Sequence, residues 1–165
     1  MKVYLGLGSN LGDRERNLAQ AVRLLARTRG VNVVARSSLW QSAPVGPPQP
    51  DYLNAALEVD TTLTAVQLLA ECKAIERELG REPGGQRWGP RTVDIDLLLA
   101  DDIVAEPHLQ VPHLDLHRRA FALLPLCELA PADAIHPVLG QKLKSLLSAV
   151  AEQKVERAGE FYVEV

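Results

Sequence analysis

The sequence predicts an α+β fold, a mainly antiparallel sheet packed with helices in α-β-α layers, and three observations lead there. Short runs rich in β-branched residues alternate with amphipathic stretches in the order β-α-β-β-α-β over roughly the first hundred residues, which is the ferredoxin-like split βαβ pattern. Each amphipathic stretch opens on a capping residue and closes near a glycine. No internal repeat, low-complexity tract or long linker interrupts the order, so residues 1–165 are expected to form one domain.

The opening KVYLGLG is a short apolar strand that runs into the turn-rich SNLGD. Asp13 can cap a helix in which Leu18, Ala21, Val22 and Leu25 recur at i, i+3, i+4 and i+7, closing near Gly30. Residues 31–41, VNVVARSSLWQ, read as one second strand. The loop after it holds Pro44, Gly46, Pro47, Pro48 and Pro50, too stiff for a helix and too long for a tight hairpin.

YLNAALEVDT reads as the third strand, and Thr62 or Thr64 can cap a helix carrying Leu68, Leu69, Cys72, Ile75 and Leu79, with Gly80 as its stop. REPGGQRWGPR is a second Gly/Pro-rich loop, and it delivers the chain into the strand TVDIDLLLA. Beyond a turn at Asp101 and Asp102, the pattern predicts a strand near Leu109 to Val111 and a helix around Arg118 to Leu129 with Pro125 inside or ending it. Lys142 to Gln153 reads as one more amphipathic helix, and FYVEV as a terminal strand.

Composition narrows the function classes. Hydrophobic residues make up 47% and charged residues 24%, which argues against disorder. No apolar run approaches the roughly 20 residues of a spanning helix, and MKVYLGLGSN lacks the long apolar region of a secretory signal, so no membrane partner and a cytoplasmic location are expected. The net charge of −3 does not favour a nucleic-acid partner. Cys72 and Cys127 sit in apolar helical surroundings without metal spacing and read as buried free thiols.

The chemistry concentrates in RWGPRTVDIDLLL, Arg87 to Leu99. Strand alternation puts Val93, Ile95, Leu97 and Leu99 on one face and Asp94 and Asp96 on the other, with their Cα atoms about 6.5 to 7 Å apart. Two carboxylates on a half-buried strand are costly without a cation, and Mg²⁺ bound by one or two carboxylates completes its shell with water and substrate phosphate. Arg81, Arg87 and Arg91 in the preceding loop suit bidentate contacts to phosphate oxygens. The plain alternative is that the aspartates decorate a solvated face and the arginines a solvated loop. GLGSN lacks the third glycine of a dinucleotide fingerprint, no P-loop occurs anywhere, and His113 in VPHLD is a lone loop histidine.

GLGSNLGD (Gly6 to Asp13), QPDYLNA (Gln49 to Ala55), RWGPRTVDIDLLL and VPHLDLHRRAFAL (Val111 to Leu123), in this order and over nearly the whole chain, resemble the 6-hydroxymethyl-7,8-dihydropterin pyrophosphokinases of folate biosynthesis. The resemblance implies transfer of pyrophosphate from ATP to the hydroxymethyl group of the pterin, with release of AMP, by a monomer whose partners are these two small molecules. Asp94 and Asp96 would hold two Mg²⁺ ions. Arg81 and Arg91 would contact the phosphates, Arg81 from a loop that closes over the site. Glu76, Leu97, His108, Gln110, His113 and Arg119 would complete the ATP side. Tyr52 and Phe121 would sandwich the pterin ring, Asn54 would bond its amide edge, Ser42 and Val45 would finish the pocket, and Trp88 would help close it.

The chain departs from the family pattern at Pro83, where some members carry an arginine, at His108, Gln110 and Leu114, which replace arginine, threonine and tyrosine, and at Ser42, which replaces threonine. Without the resemblance, Tyr52 and Phe121 read as core packing. Three other readings compete with the enzyme: a D-x-D glycosyltransferase, a ligand-sensing regulatory module and an RNA-binding sheet. The short chain and loop arginines weigh against the first, the clustering of reactive residues on loops and one strand face against the second. Net acidity and the lack of an aromatic RNP signature weigh against the third.

Overall fold

The computed structural model describes residues 1–44, 46–80 and 92–164. Strand β1 (Lys2–Ser9) leads into α1 (Arg14–Ala26), whose first turn is capped by Asp13 through a 3.2 Å bond that its carboxylate accepts from the Arg16 amide. Next come β2 (Val31–Arg36), β3 (Leu39–Ser42) and β4 (Tyr52–Thr61). Helix α2 (Ala65–Glu78) starts in a capping box made by Thr64 and Gln67 and stops at Gly80, whose φ of +108° suits glycine.

Strand β5 (Asp94–Ala100), the hairpin of β6 (Val104–Glu106) and β7 (Leu109–Val111), and a 3₁₀ turn at Leu116–Arg118 follow. The chain ends with α3 (Ala120–Leu129), α4 (Leu143–Leu146), a 3₁₀ turn at Leu147–Val150, and β8 (Val155–Gly159).

The main sheet runs β5-β1-β4-β3-β8 with β2 also paired to β4, and every pairing is antiparallel. Helices α1 and α2 seat Leu18, Val22, Leu25, Leu68 and Ile75 on one face against Val3, Leu5, Leu57 and Ile95. Helices α3 and α4 seat Leu123, Leu126, Leu143 and Leu146 against Tyr4, Leu98 and Leu99 on the other. The expected α-β-α layering follows, because both sheet faces are apolar and each needs a cover. No helix among the described residues is long and apolar enough to cross a membrane.

Five expectations need correction. The single strand over 31–41 is two, interrupted at Ser37 and Ser38: the Ser37 hydroxyl accepts from the Ala56 amide at 2.8 Å, and the Glu128 carboxylate takes the Ser38 amide. Side-chain oxygens thus replace ladder bonds at the break. The β1–β5 register shifts between Tyr4 and Leu5, so Leu98 is an extra residue and Leu99 joins Leu98 on the α3 side instead of sharing the Ile95 and Leu97 face.

The helix expected over 142–153 is a single α turn and a 3₁₀ turn, enough to seat Leu143, Leu146 and Val150, and the Gln153 amide closes it on the Val150 carbonyl. Residues 161–164 form no strand. The Phe161 and Glu164 carbonyls accept from Arg36 and Arg23 instead, while Phe161 and Val163 bury in the core. Both cysteines are free, but only Cys72 is fully buried, where desolvation and then the Glu76 charge push its thiol up to about 12.

Candidate active site

The N-terminal ends of β4 and β5 and the C-terminal end of β1 lie side by side at one end of the sheet. In register, Gly8 of β1 pairs with Asp94 of β5 on one side and Asn54 of β4 on the other, and Gly6 pairs with Asp96 and Ala56. Directly opposed residues share a face, so both aspartates and Asn54 look the same way, across a strip of glycine. Asp94 and Asp96 are half-buried while Val93, Ile95 and Leu97 between and beside them are buried on the opposite face.

Among the described residues no main-sheet strand lies on the outer edge of β5, and side chains and loops bind that edge instead. Buried Glu76 of α2 accepts the Ile95 N–H at 2.8 Å, and the His113 N–H donates to the Leu98 carbonyl at 2.9 Å. Lys73 reaches the other Glu76 oxygen at 3.2 Å. The backbone carrying the two aspartates is therefore held from both sides. Asp96 itself makes no salt bridge among the described residues, and no group of three His, Cys, Asp or Glu among them could hold a metal. Two carboxylates on one face suit a hard cation such as Mg²⁺ that takes its other ligands from water and phosphate, and they do not suit a cation needing a full protein cage.

These strands floor a cavity of about 710 Å³, large enough for a drug-sized ligand. At one end stand Ser42, Tyr52, Asn54 and Phe121. Asn54 is buried, and its amide nitrogen donates to the Ser42 hydroxyl at 2.8 Å and the Trp40 carbonyl at 3.2 Å, leaving Oδ1 over Gly8 as an acceptor. The segment leading to Tyr52 is tied to the end of β1: Asn10 donates to the Gln49 side chain at 2.8 Å and to the Pro50 carbonyl at 3.0 Å, and Arg14 bonds the Asp51 carbonyl. The motifs GLGSN and QPDYLN are thus two halves of one wall.

Phe121 comes from α3, and the Arg119 guanidinium lies 5.6 Å from its ring centroid while pairing with Asp115 at 3.2 Å. Helix α3 has no side-chain cap of its own. Gln153 serves instead, its oxygen accepting the Ala120 N–H at 2.9 Å and its nitrogen donating to the Arg118 carbonyl at 2.7 Å, so one amide brackets Arg119.

The structure brings Asp94, Asp96, Ser42, Tyr52, Asn54, Phe121 and Arg119 to this cavity and leaves other expected residues elsewhere. Glu76 is buried against β5, and Leu97 is buried on the opposite sheet face. His108 and Gln110 sit exposed on the β6–β7 hairpin, where Gln110 bonds the Glu106 carbonyl, and Leu114 is 72% exposed. His113 is half-buried outside the cavity, its Nδ1 accepting from the Asp115 amide at 3.1 Å. Val45, Arg81, Pro83, Arg87, Trp88 and Arg91 lie outside the described residues. Sequence reasoning missed Gly6, Gly8, Lys73, Asp115, Arg118, Gln153, Lys154 and Val155, all at the cavity. For Lys73 the helical spacing to Glu76 was a usable signal, whereas nothing local marks Gln153.

Residues 4–131 match the family model of 7,8-dihydro-6-hydroxymethylpterin-pyrophosphokinase (HPPK). The chain is 43% identical over 158 residues to a 2-amino-4-hydroxy-6-hydroxymethyldihydropteridine pyrophosphokinase of Methylorubrum extorquens, covering 94% of this chain and 98% of that one. Its identity to the Haemophilus influenzae protein of the same name is 38% over 154 residues, 92% of this chain and 94% of the other. In fold it is similar to a crystal structure of Plasmodium falciparum HPPK-DHPS, with a TM-score of 0.71 at 14% identity over 90% of this chain and 45% of that one.

Proposed function

This chain belongs to the 7,8-dihydro-6-hydroxymethylpterin pyrophosphokinase family, enzymes that pass pyrophosphate from ATP to hydroxymethyldihydropterin in folate synthesis, and from that membership we propose which of its residues do the work. The observation that carries the reading is one cavity with an aromatic, amide-lined end and a two-carboxylate end. The pterin ring stacks between Tyr52 and Phe121, with Asn54 Oδ1 accepting from a ring N–H and Ser42 holding Asn54 in place. Two Mg²⁺ ions, held by Asp94 and Asp96, would supply Lewis-acid neutralisation of the triphosphate.

The remaining roles belong to the chain itself. The hydroxymethyl oxygen attacks the β-phosphorus, the bond from that phosphorus to the oxygen bridging the α-phosphorus breaks, AMP leaves with that oxygen, and the hydroxyl proton passes to solvent. Arg119, Lys73 and Lys154 face the cavity with cationic groups suited to phosphate. The assignments of Arg81 and Arg91 to the phosphates and of Val45 and Trp88 to the pterin stand on the resemblance, as do those of Glu76, Leu97, His108, Gln110 and His113 to ATP. For Glu76 and Leu97, whose side chains are buried away from the cavity, such a contact runs through the backbone or through the strand they support.

Residues 1–165 act as one catalytic domain, because the sheet that carries the site draws strands from both ends of the chain, and the cytoplasmic monomer stands on the resemblance. The test is incubation with ATP, Mg²⁺ and 6-hydroxymethyl-7,8-dihydropterin, with AMP resolved from ADP and Asp94→Ala as the control. Pterin-dependent AMP that vanishes in the control is expected. Tight pterin binding without AMP would overturn the catalytic reading in favour of a binding module, and a dimer in light scattering would overturn the monomer.

A further inference from the structure

The glycines of GLGSN, which make no dinucleotide fingerprint, still call for an explanation. Gly6 and Gly8 lie in a central strand, where glycine gives up both side-chain packing and β-propensity, and neither has a positive φ. Backbone conformation therefore does not require them, and space is the remaining reason. A Cβ on Gly8 would stand 3.3 Å from Tyr52 Cδ1 and 3.4 Å from Asn54 Oδ1. The Asn54 oxygen is at the edge of ordinary van der Waals contact and the Tyr52 ring edge is inside it, so it is the ring that would have to shift by a few tenths of an ångström. A Cβ on Gly6 would meet only the movable end of Leu98, at 3.1 to 3.3 Å.

Gly8 is also the centre of the rung Asn54–Gly8–Asp94, and Gly6 of the rung Ala56–Gly6–Asp96. With strands about 4.8 Å apart, Asn54 and Asp94 stand roughly 10 Å from each other, and what lies between them is bare backbone.

We propose that Gly8 is a positioning residue for the pterin: its missing side chain keeps Tyr52 seated and leaves an open trough between the ring pocket and the aspartates, across which the hydroxymethyl arm reaches the phosphates. The inference rests on the pterin-and-ATP reading of the cavity. It adds to that reading a steric determinant that supplies no polar atom. A methyl group in the trough displaces the ring and narrows the path, and overpacking of this kind weakens pterin binding by about tenfold.

The experiment measures three quantities for the wild-type chain, Gly8→Ala and Gly6→Ala: affinity for 6-hydroxymethylpterin by fluorescence, affinity for α,β-methylene-ATP with Mg²⁺, and the melting temperature. In α,β-methylene-ATP the bond to be broken is blocked. Gly8→Ala is expected to lose pterin affinity about tenfold, keep nucleotide affinity within about twofold and melt no lower than wild type, with a clearly smaller pterin loss for Gly6→Ala. Unchanged pterin affinity in Gly8→Ala would overturn the proposal, as would equal losses from the two alanines. A Gly8→Ala chain that failed to fold would overturn it too, because the glycine would then serve the fold and not the site. Wild-type chain that bound no pterin would instead sink the reading of the cavity itself.

Discussion

The two ends of the cavity are built on opposite plans. At the ring end the side chains are fixed within the protein: Asn54 spends its amide hydrogens on Ser42 and Trp40 and keeps Oδ1 for the ligand, and the wall beside Tyr52 is tied down through Asn10, Gln49 and Pro50. At the aspartate end the backbone is held by Glu76, His113 and the β1 ladder, while Asp96 faces the cavity without a salt bridge among the described residues. The contrast follows from the ligands. A flat, uncharged ring is best met by a preformed slot, because fixing side chains beforehand lowers the cost of binding. A triphosphate with its cations brings its own charge, and an acidic pair carried on a fixed backbone is matched to it.

The sharpest way to break this comparison is at the aspartate end. Asp96→Asn should lower kcat by roughly 10²- to 10³-fold while leaving pterin affinity and the melting temperature near wild type, as kinetics, fluorescence titration and a thermal melt would show. A fully active variant would remove the metal role assigned to that residue.

Next in size is the support beneath the shelf. Glu76→Leu leaves the Ile95 N–H without its acceptor and should cost about 1–3 kcal/mol of unfolding free energy in a urea titration. Its kinetic signature should be a fall in kcat with little change in KM for the pterin, since the strand that moves carries the aspartates and not the ring contacts.

At the ring end, Gln153→Ala removes the cap of α3 and should cost about 1 kcal/mol of stability. It should also raise KM for the pterin more than it lowers kcat, because the helix it caps carries Phe121. An equal fall in kcat and kcat/KM would place Gln153 on the phosphate side instead and blur the division.

The smallest effect sharpens the comparison by exclusion. His136 lies beyond the cavity, buried, with Nδ1 accepting from the Val138 and Leu139 amides, and desolvation followed by the nearby His117 holds its pKa below the usual 6.5. A depressed folded pKa means that the unfolded chain binds the proton first. The stability contributed by neutral His136 is thus present above about pH 6.5 and lost as pH falls through the lower folded value. His136→Gln should flatten melting temperature against pH in that window without moving pterin affinity; a change in affinity would tie this loop to the ring end through His117 and Arg118, which are hydrogen-bonded neighbours.

Much of this architecture was legible before any coordinates. The cap at Asp13, a second cap at Thr62 or Thr64, the stop at Gly80, the strands of β1, β4 and β5 and the shared face of Asp94 and Asp96 all follow from rules that act within a few residues: dihedral preference, side-chain to backbone bonds and a period of two or 3.6. The misreadings fall where distant residues intervene. Glu128 breaks the second strand at Ser38, Arg36 and Arg23 take the carbonyls of 161–164 from any ladder, and the partner strand β1 sets the bulge at Leu98. Such bonds carry no local signature.

The same division runs through the site. The amino-acid sequence by itself determined that two carboxylates would face one way from a strand, that stacking rings and an asparagine would be available, and which family of catalysts the chain belongs to. Only the tertiary structure decided that Gly8 stands between Asp94 and Asn54, that Glu76 lies beneath the shelf rather than in the cavity, and that Gln153 brackets Arg119. The physical reason is reach: alternation along a strand is a property of neighbouring bonds, whereas register between strands and the capping of one segment by a distant side chain exist only once the chain has closed on itself.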